Sequence, residues 1–124
     1  MKTLEIRIKS IAQANEDFVQ TFKNLQAGKR VAPNRGVYFT SLDAVRNLLT
    51  EKRMGLLHLI REKSPKSIYA LAKLAGRNFK NVHSDLKILK DYGLVKMTST
   101  RHHKKNASQR VTVPYQSINI HAGI

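Results

Sequence analysis

At 124 residues the chain has room for one domain, or for a small domain carrying an arm, and this length supports an apolar core without disulfide or metal staples. It contains no cysteine, which excludes a disulfide framework, a cysteine-ligated zinc site and thiolate catalysis. Lysine and arginine number 23 against 8 aspartate and glutamate, a formal net charge of +15; such a surplus repels itself in a compact state, and an anionic partner relieves it.

The chain begins with Leu4, Ile6 and Ile8 alternating with Glu5, Arg7 and Lys9, the period-two pattern of a strand with one buried face. This start lacks the apolar block of a signal peptide, and no run approaches the roughly 18 apolar residues that span a bilayer. A cytoplasmic, nucleoid-associated protein is expected. Ser10 is placed to cap a helix whose apolar positions, Ile11, Ala14, Phe18, Phe22 and Leu25, recur at spacings of three and four and form one stripe. Gly28 ends it. The stretch Gly28–Gly36, with Lys29, Arg30, Pro33, Asn34 and Arg35, has the composition of an exposed basic linker. Residues 1–36 are therefore expected to form a strand–helix arm. Val37, Tyr38 and Phe39 suggest a short strand, after which Ser41 caps a brief helix carrying Leu42, Val45, Leu48 and Leu49.

From Thr50 onward the punctuation becomes regular. Thr50 is a suitable N-cap, Glu51 suits the positive end of the helix dipole, and Met54, Leu57 and Ile60 are the expected buried stripe. Ser64-Pro65 ends that helix. Ser67 caps a short helix with Ile68, Leu71, Ala72 and Ala75; Gly76-Arg77 supplies a tight turn; Asn78 caps a helix running to about Tyr92, closed by Gly93. Leu94, Val95 and Met97 begin a strand, residues 98–109 are polar and basic, Val111 and Val113 resume a strand, and Ile118 and Ile120 alternate into a last one. Two short helices across a glycine-containing turn, followed by two strands around a basic loop, are the order of a winged helix-turn-helix. The predicted class is α+β, mainly α: a winged helix-turn-helix over residues 37–124 behind an N-terminal strand–helix arm.

On the helix beginning after Asn78, about 3.6 residues per turn put Phe79, Val82, Leu86 and Leu89 on an inward face. Asn81, Ser84 and Lys87 share the opposite face, flanked by Asn78, Lys80 and His83, with Asp85 to the side. Short amides and lysines suit a helix entering a major groove, where amides bond base edges and lysines meet phosphates or guanine acceptors. Charge is concentrated in the same half. Residues 50–124 carry fifteen bases against four acids, and no carboxylate side chain follows Asp91. Arg77 precedes the helix, and the loop carries Arg101, His102, His103, Lys104 and Lys105, with Arg110 beyond it. Between two strands such a loop is a basic wing for the sugar-phosphate backbone or a minor groove. His102-His103 does not indicate a metal: neighbours on a strand point to opposite faces, and no Asp, Glu or Cys lies nearby.

The segment Val82–Val95 resembles the end of the recognition helix and the Gly-Leu-Val strand entry of MarR- and ArsR-type winged-helix regulators. A wider group of MarR-like predicted prokaryotic DNA-binding proteins is similar over most of residues 37–121, through Leu49-Thr50-Glu51-Lys52-Arg53, Gly76–His83 and Pro114–Ile118. The resemblance implies the winged fold and a DNA partner. The basic loop of this chain is longer than the hairpins of that group.

No phosphate-binding glycine loop, dinucleotide fingerprint, zinc-protease helix or nucleophile elbow occurs, and the eight carboxylates form no evident acid–base pair. No enzyme and no cofactor are expected. His58 is expected to be a partly buried structural residue, and Tyr38 and Tyr69 core or interface aromatics. The leading expectation is a homodimeric transcriptional regulator on double-stranded DNA with a pseudo-palindromic site. An autoregulating antitoxin, with the arm on a toxin protein, and an RNA-binding protein are the alternatives. The apolar stripe of the arm has two equal destinations, a partner subunit or the winged domain of its own chain.

Overall fold

The computed structural model describes residues 2–30, 36–99 and 109–123. Its elements run β1 (Thr3–Ile8), α1 (Ile11–Gln26), β2 (Gly36–Phe39), α2 (Leu42–Leu48), α3 (Glu51–Lys63), α4 (Ile68–Ala75), α5 (Phe79–Asp91), β3 (Lys96–Ser99), β4 (Gln109–Thr112) and β5 (Ser117–Ala122). This is the expected α+β, mainly helical winged helix-turn-helix with a strand–helix arm. The helices start where the side-chain caps are. Ser10, Thr50, Ser67 and Asn78 each accept a hydrogen bond from a backbone N–H of the first turn, satisfying a donor that the helix cannot. Ser41 does the same for α2 through Ala44 N.

The chain forms two compact units, residues 1–2 with 47–116, and residues 3–46 with 117–124. In the second, β2, β1 and β5 form a three-stranded parallel sheet in that order. Leu4 pairs with Ile118, Ile6 with both Val37 and Ile120, and Ile8 with Phe39, so one face is apolar. The other carries Glu5 and Arg7 beside Asn119, His121 and Tyr38. Gly36 is needed at the β1–β2 pairing, since a Cβ there would lie 2.7 Å from the Glu5 carbonyl oxygen. The sequence alone put residues 37–124 together. In the structure 37–46 and 117–124 group with the arm, because β2 and β5 hydrogen-bond to opposite edges of β1. Hydrophobic alternation reveals a strand but not its neighbours.

In the first unit α3, α4 and α5 enclose a core of Leu56, Leu57, Ile60, Ile68, Leu71, Ala72, Val82, Leu86 and Leu89, with Leu94, Val95 and Val111 from the wing side. The wing is the antiparallel pair β3–β4, with Met97 opposite Val111 and Ser99 opposite Gln109. Its strands reach further into the polar segment than hydrophobicity suggested. Two other expectations fail here. Met54 is largely exposed and Leu56 takes its place in the core. His58 is not partly buried: its side chain is 78% exposed and pairs with Glu62 one turn away. Tyr38 and Tyr69, expected as core or interface aromatics, are both exposed and lie outside the core. Leu57 and Ile60 are buried as read, so the core-facing side of α3 widens to Leu56 and does not extend to Met54.

Two measurements follow. Leu86 has no exposed surface, so Leu86→Ala lowers unfolding free energy by about 2–5 kcal/mol in chemical denaturation. On the polar sheet face, hydrogen bonding from His121 chiefly, and from Asn119, holds the Glu5 carboxyl below the usual carboxylate range. A depressed carboxylate contributes stability above its unfolded pKa and loses it as pH falls through the folded value. Glu5→Gln accordingly shrinks the drop in melting temperature between neutral pH and the acid side of the carboxylate range.

Candidate nucleic-acid interface

Helices α4 and α5 are joined by Gly76, Arg77 and Asn78. Gly76 closes α4 with φ 65°, a left-handed conformation that costs a residue with a Cβ about 1–2 kcal/mol. Its N–H returns to the α4 carbonyls, and Arg77 N bonds to Ala72 O at 3.0 Å. Asn78 then turns the chain into α5, its Oδ1 accepting from Lys80 N at 2.7 Å and Asn81 N at 3.3 Å. The spacing of apolar residues does the rest. Val82, Leu86 and Leu89 are fully buried, which leaves Lys80, Asn81, Ser84 and Lys87 exposed along the opposite side of α5, with Asn78 exposed at its start. Lys80 and Lys87 have no ion pair among the described residues. Exposed lysines, an amide and a hydroxyl thus share one helical face, close to the positive end of the helix dipole.

Two side chains depart from their expected places. Phe79 is not inward but 44% exposed. Its ring lies 5.6 Å from that of Tyr69 on α4 and 5.9 Å from that of His83, nearly parallel to the latter. At the first turn of α5 the inward direction is taken by Val82, and Phe79 caps the α4–α5 junction from outside. His83 is consequently half-buried under Phe79, at the edge of the exposed face.

Arg77 does not join the exposed set either. Its Nη2 donates to Asp85 Oδ2 at 2.8 Å, while the other carboxylate oxygen accepts from Arg53 Nε at 3.1 Å. All three side chains are less than a quarter exposed. Arg53 Nη1 further donates to the carbonyls of Asn47 at 2.8 Å and Leu48 at 3.1 Å. One carboxylate on α5 thereby links the helix-turn-helix turn, the first turn of α3 and the end of α2. Sequence reasoning passed over Asp85 as lying to the side. The usable signal was an acid in the middle of a helix that also carries Lys80, Lys87 and Lys90, eight residues after Arg77.

On the wing, Arg110 is exposed on β4 opposite Thr98. Arg101, His102, His103, Lys104 and Lys105 lie outside the described residues. Among the described residues no three metal-ligating side chains gather, and no helix is long and apolar enough to cross a membrane.

The family model described as HVO_A0114 matches residues 48–120, more than half of the chain and the whole helix-turn-helix and wing. No curated protein matches. A crystal structure from Mycobacterium bovis, described as a possible transcriptional regulatory protein (fragment 1–100), is 22% identical over 58% of this chain and 75% of its own. Its TM-score is 0.44, a likeness too loose to transfer anything to this chain.

Removing the shared carboxylate tests the positioning of α5. Asp85→Ala leaves two shielded guanidiniums without their acceptor and costs about 1.5–3 kcal/mol of stability in urea titration. Lys80→Ala, on the exposed face, leaves stability within about 0.5 kcal/mol of the parent.

Proposed function

We propose that this chain, which belongs to the HVO_A0114 family, is a regulator of transcription that binds double-stranded DNA with α5 in the major groove. The observation that carries this reading is the division of α5: Val82, Leu86 and Leu89 are locked in the core while Lys80, Asn81, Ser84 and Lys87 face outward. A rod about 10–12 Å across with a fixed back and a polar, cationic front matches the width of that groove. The similarity of Gly93-Leu94-Val95 and the preceding helix to MarR- and ArsR-type regulators supports the same reading.

The residues take distinct roles. Asn81 and Ser84 contact base edges, since an amide offers a donor and an acceptor to adenine and a hydroxyl serves either. Lys80 and Lys87 meet phosphates or guanine, and Asn78 and His83 border the contact. Arg110 and the wing residues Arg101, His102, His103, Lys104 and Lys105 engage the backbone or minor groove. Arg77, committed to Asp85, acts as a positioning residue that holds the turn from which α5 departs. The surplus of fifteen positive charges supplies long-range attraction whatever the sequence of the DNA.

Selection of bound duplexes from a random pool tests this directly. The parent protein recovers a defined sequence, Asn81→Ala and Ser84→Ala shift it, and Lys104→Ala with Lys105→Ala weakens all duplexes alike. With about six phosphates engaged, log K falls against log salt with a slope near −5. Binding that ignores salt, or absence of duplex binding at low salt, rules the reading out.

A further inference from the structure

Phe79 is apolar and stands in the first turn of α5, yet it is left exposed while Val82, Leu86 and Leu89 of the same helix are buried. It is not loose. Its ring lies 5.6 Å from that of Tyr69 on α4 and 5.9 Å from that of His83, at 24° to the imidazole. Tyr69 is itself exposed, so the junction of α4 and α5 presents an aromatic patch. At about 100° per residue, Phe79, His83, Lys87 and Lys80 follow one another around α5 within about 100° of arc, and Leu86 and Val82 lie on the other side of Phe79. The ring therefore adjoins the cationic front of the helix, whose first turn carries no acid.

We infer that Phe79 is a specificity-determining residue that reads the 5-methyl group of thymine in the major groove. The inference rests on the DNA-binding reading proposed above and names one feature of the sequence that α5 selects. The chemistry of the groove identifies the contact. Its base edges offer hydrogen-bond donors and acceptors at every pair, and the thymine methyl is the apolar feature among them. Residues at the start of a recognition helix are those that reach base edges. An exposed phenyl ring at that place satisfies no donor or acceptor, and it gains by covering a methyl group.

Two neighbours make the contact selective. A ring packed against Tyr69 and His83 has little rotamer freedom left to lose on binding. Cytosine at the contacted position sets its amino donor against that ring and leaves the donor without a partner, which costs its desolvation. Lys80 and Lys87, on the adjoining face, attract phosphates whichever base is present. The methyl group therefore governs preference among duplexes, and the lysines govern attachment to duplex as such.

The test uses the full chain and a duplex recovered from the random pool, titrated by fluorescence anisotropy. Each thymine is replaced in turn by uracil, which removes the 5-methyl group and keeps the hydrogen-bonding edge. At one thymine or more the replacement weakens binding by the parent about fourfold, the effect of burying one carbon. Phe79→Ala binds the two duplexes equally, and Phe79→Leu, which keeps an apolar side chain, still prefers thymine. The ratio is taken within each variant, so a loss of folded protein from a weakened α4–α5 junction cancels. Equal binding of both duplexes by the parent, a recovered site without thymine, or a preference that survives Phe79→Ala overturns the inference while DNA binding stands. Absence of duplex binding by the parent overturns both.

Discussion

The direction in which α5 points depends on one carboxylate. Asp85 divides its two oxygens between Arg53 and Arg77, and Arg53 extends the link to the carbonyls that end α2. Hydrophobic burial fixes which side of α5 faces inward but is non-directional and leaves the helix free to slide or roll slightly. The guanidinium pair removes that freedom. Hydrogen bonds between ionised groups are directional and roughly twice as strong as neutral ones, so a helix held both by Leu86 and by Asp85 has a defined tilt as well as a defined face.

This arrangement also sorts the cations of the helix-turn-helix. Arg53 and Arg77 share the single negative charge of Asp85 inside the fold, and they are not presented outward in the way that Lys80 and Lys87 are. A shielded arginine beside an acid stabilises structure; an exposed lysine that makes no ion pair among the described residues is available to a partner. The excess positive charge of the chain is thus not uniform noise over a surface. On α5 it is confined to the side that the core does not use.

The parallel sheet and α1 pose a different energetic problem. A three-stranded parallel sheet has two open edges and, here, one polar face given over to Glu5, Arg7, Asn119 and His121. The helix that connects β1 to β2 does not spend its apolar stripe on burial. Apolar side chains held in water by a well-capped helix gain nothing from that position.

The local elements were legible because each carries its own physical marker. Ser10, Thr50, Ser67 and Asn78 announce helix starts, Gly76 and Gly93 announce ends, and Val82, Leu86 and Leu89 declare the inward side of α5. The helix-turn-helix order and the outward placement of Asn81, Ser84 and Lys87 follow from these alone. Tertiary structure decided what local periodicity cannot encode. It put β5 and β2 on either side of β1, since backbone pairing partners leave no trace in alternation. It left Phe79 exposed at the first turn of α5 and buried Leu56 beside Leu57 and Ile60, since an apolar stripe marks a side of a helix but not how far along or around it the core reaches. It drew Arg77 away from the exposed face onto Asp85, because an ion pair between residues eight apart forms only once a turn brings them together. It left no residue of α1 fully buried, because an amphipathic pattern states that a face is to be buried but not against what.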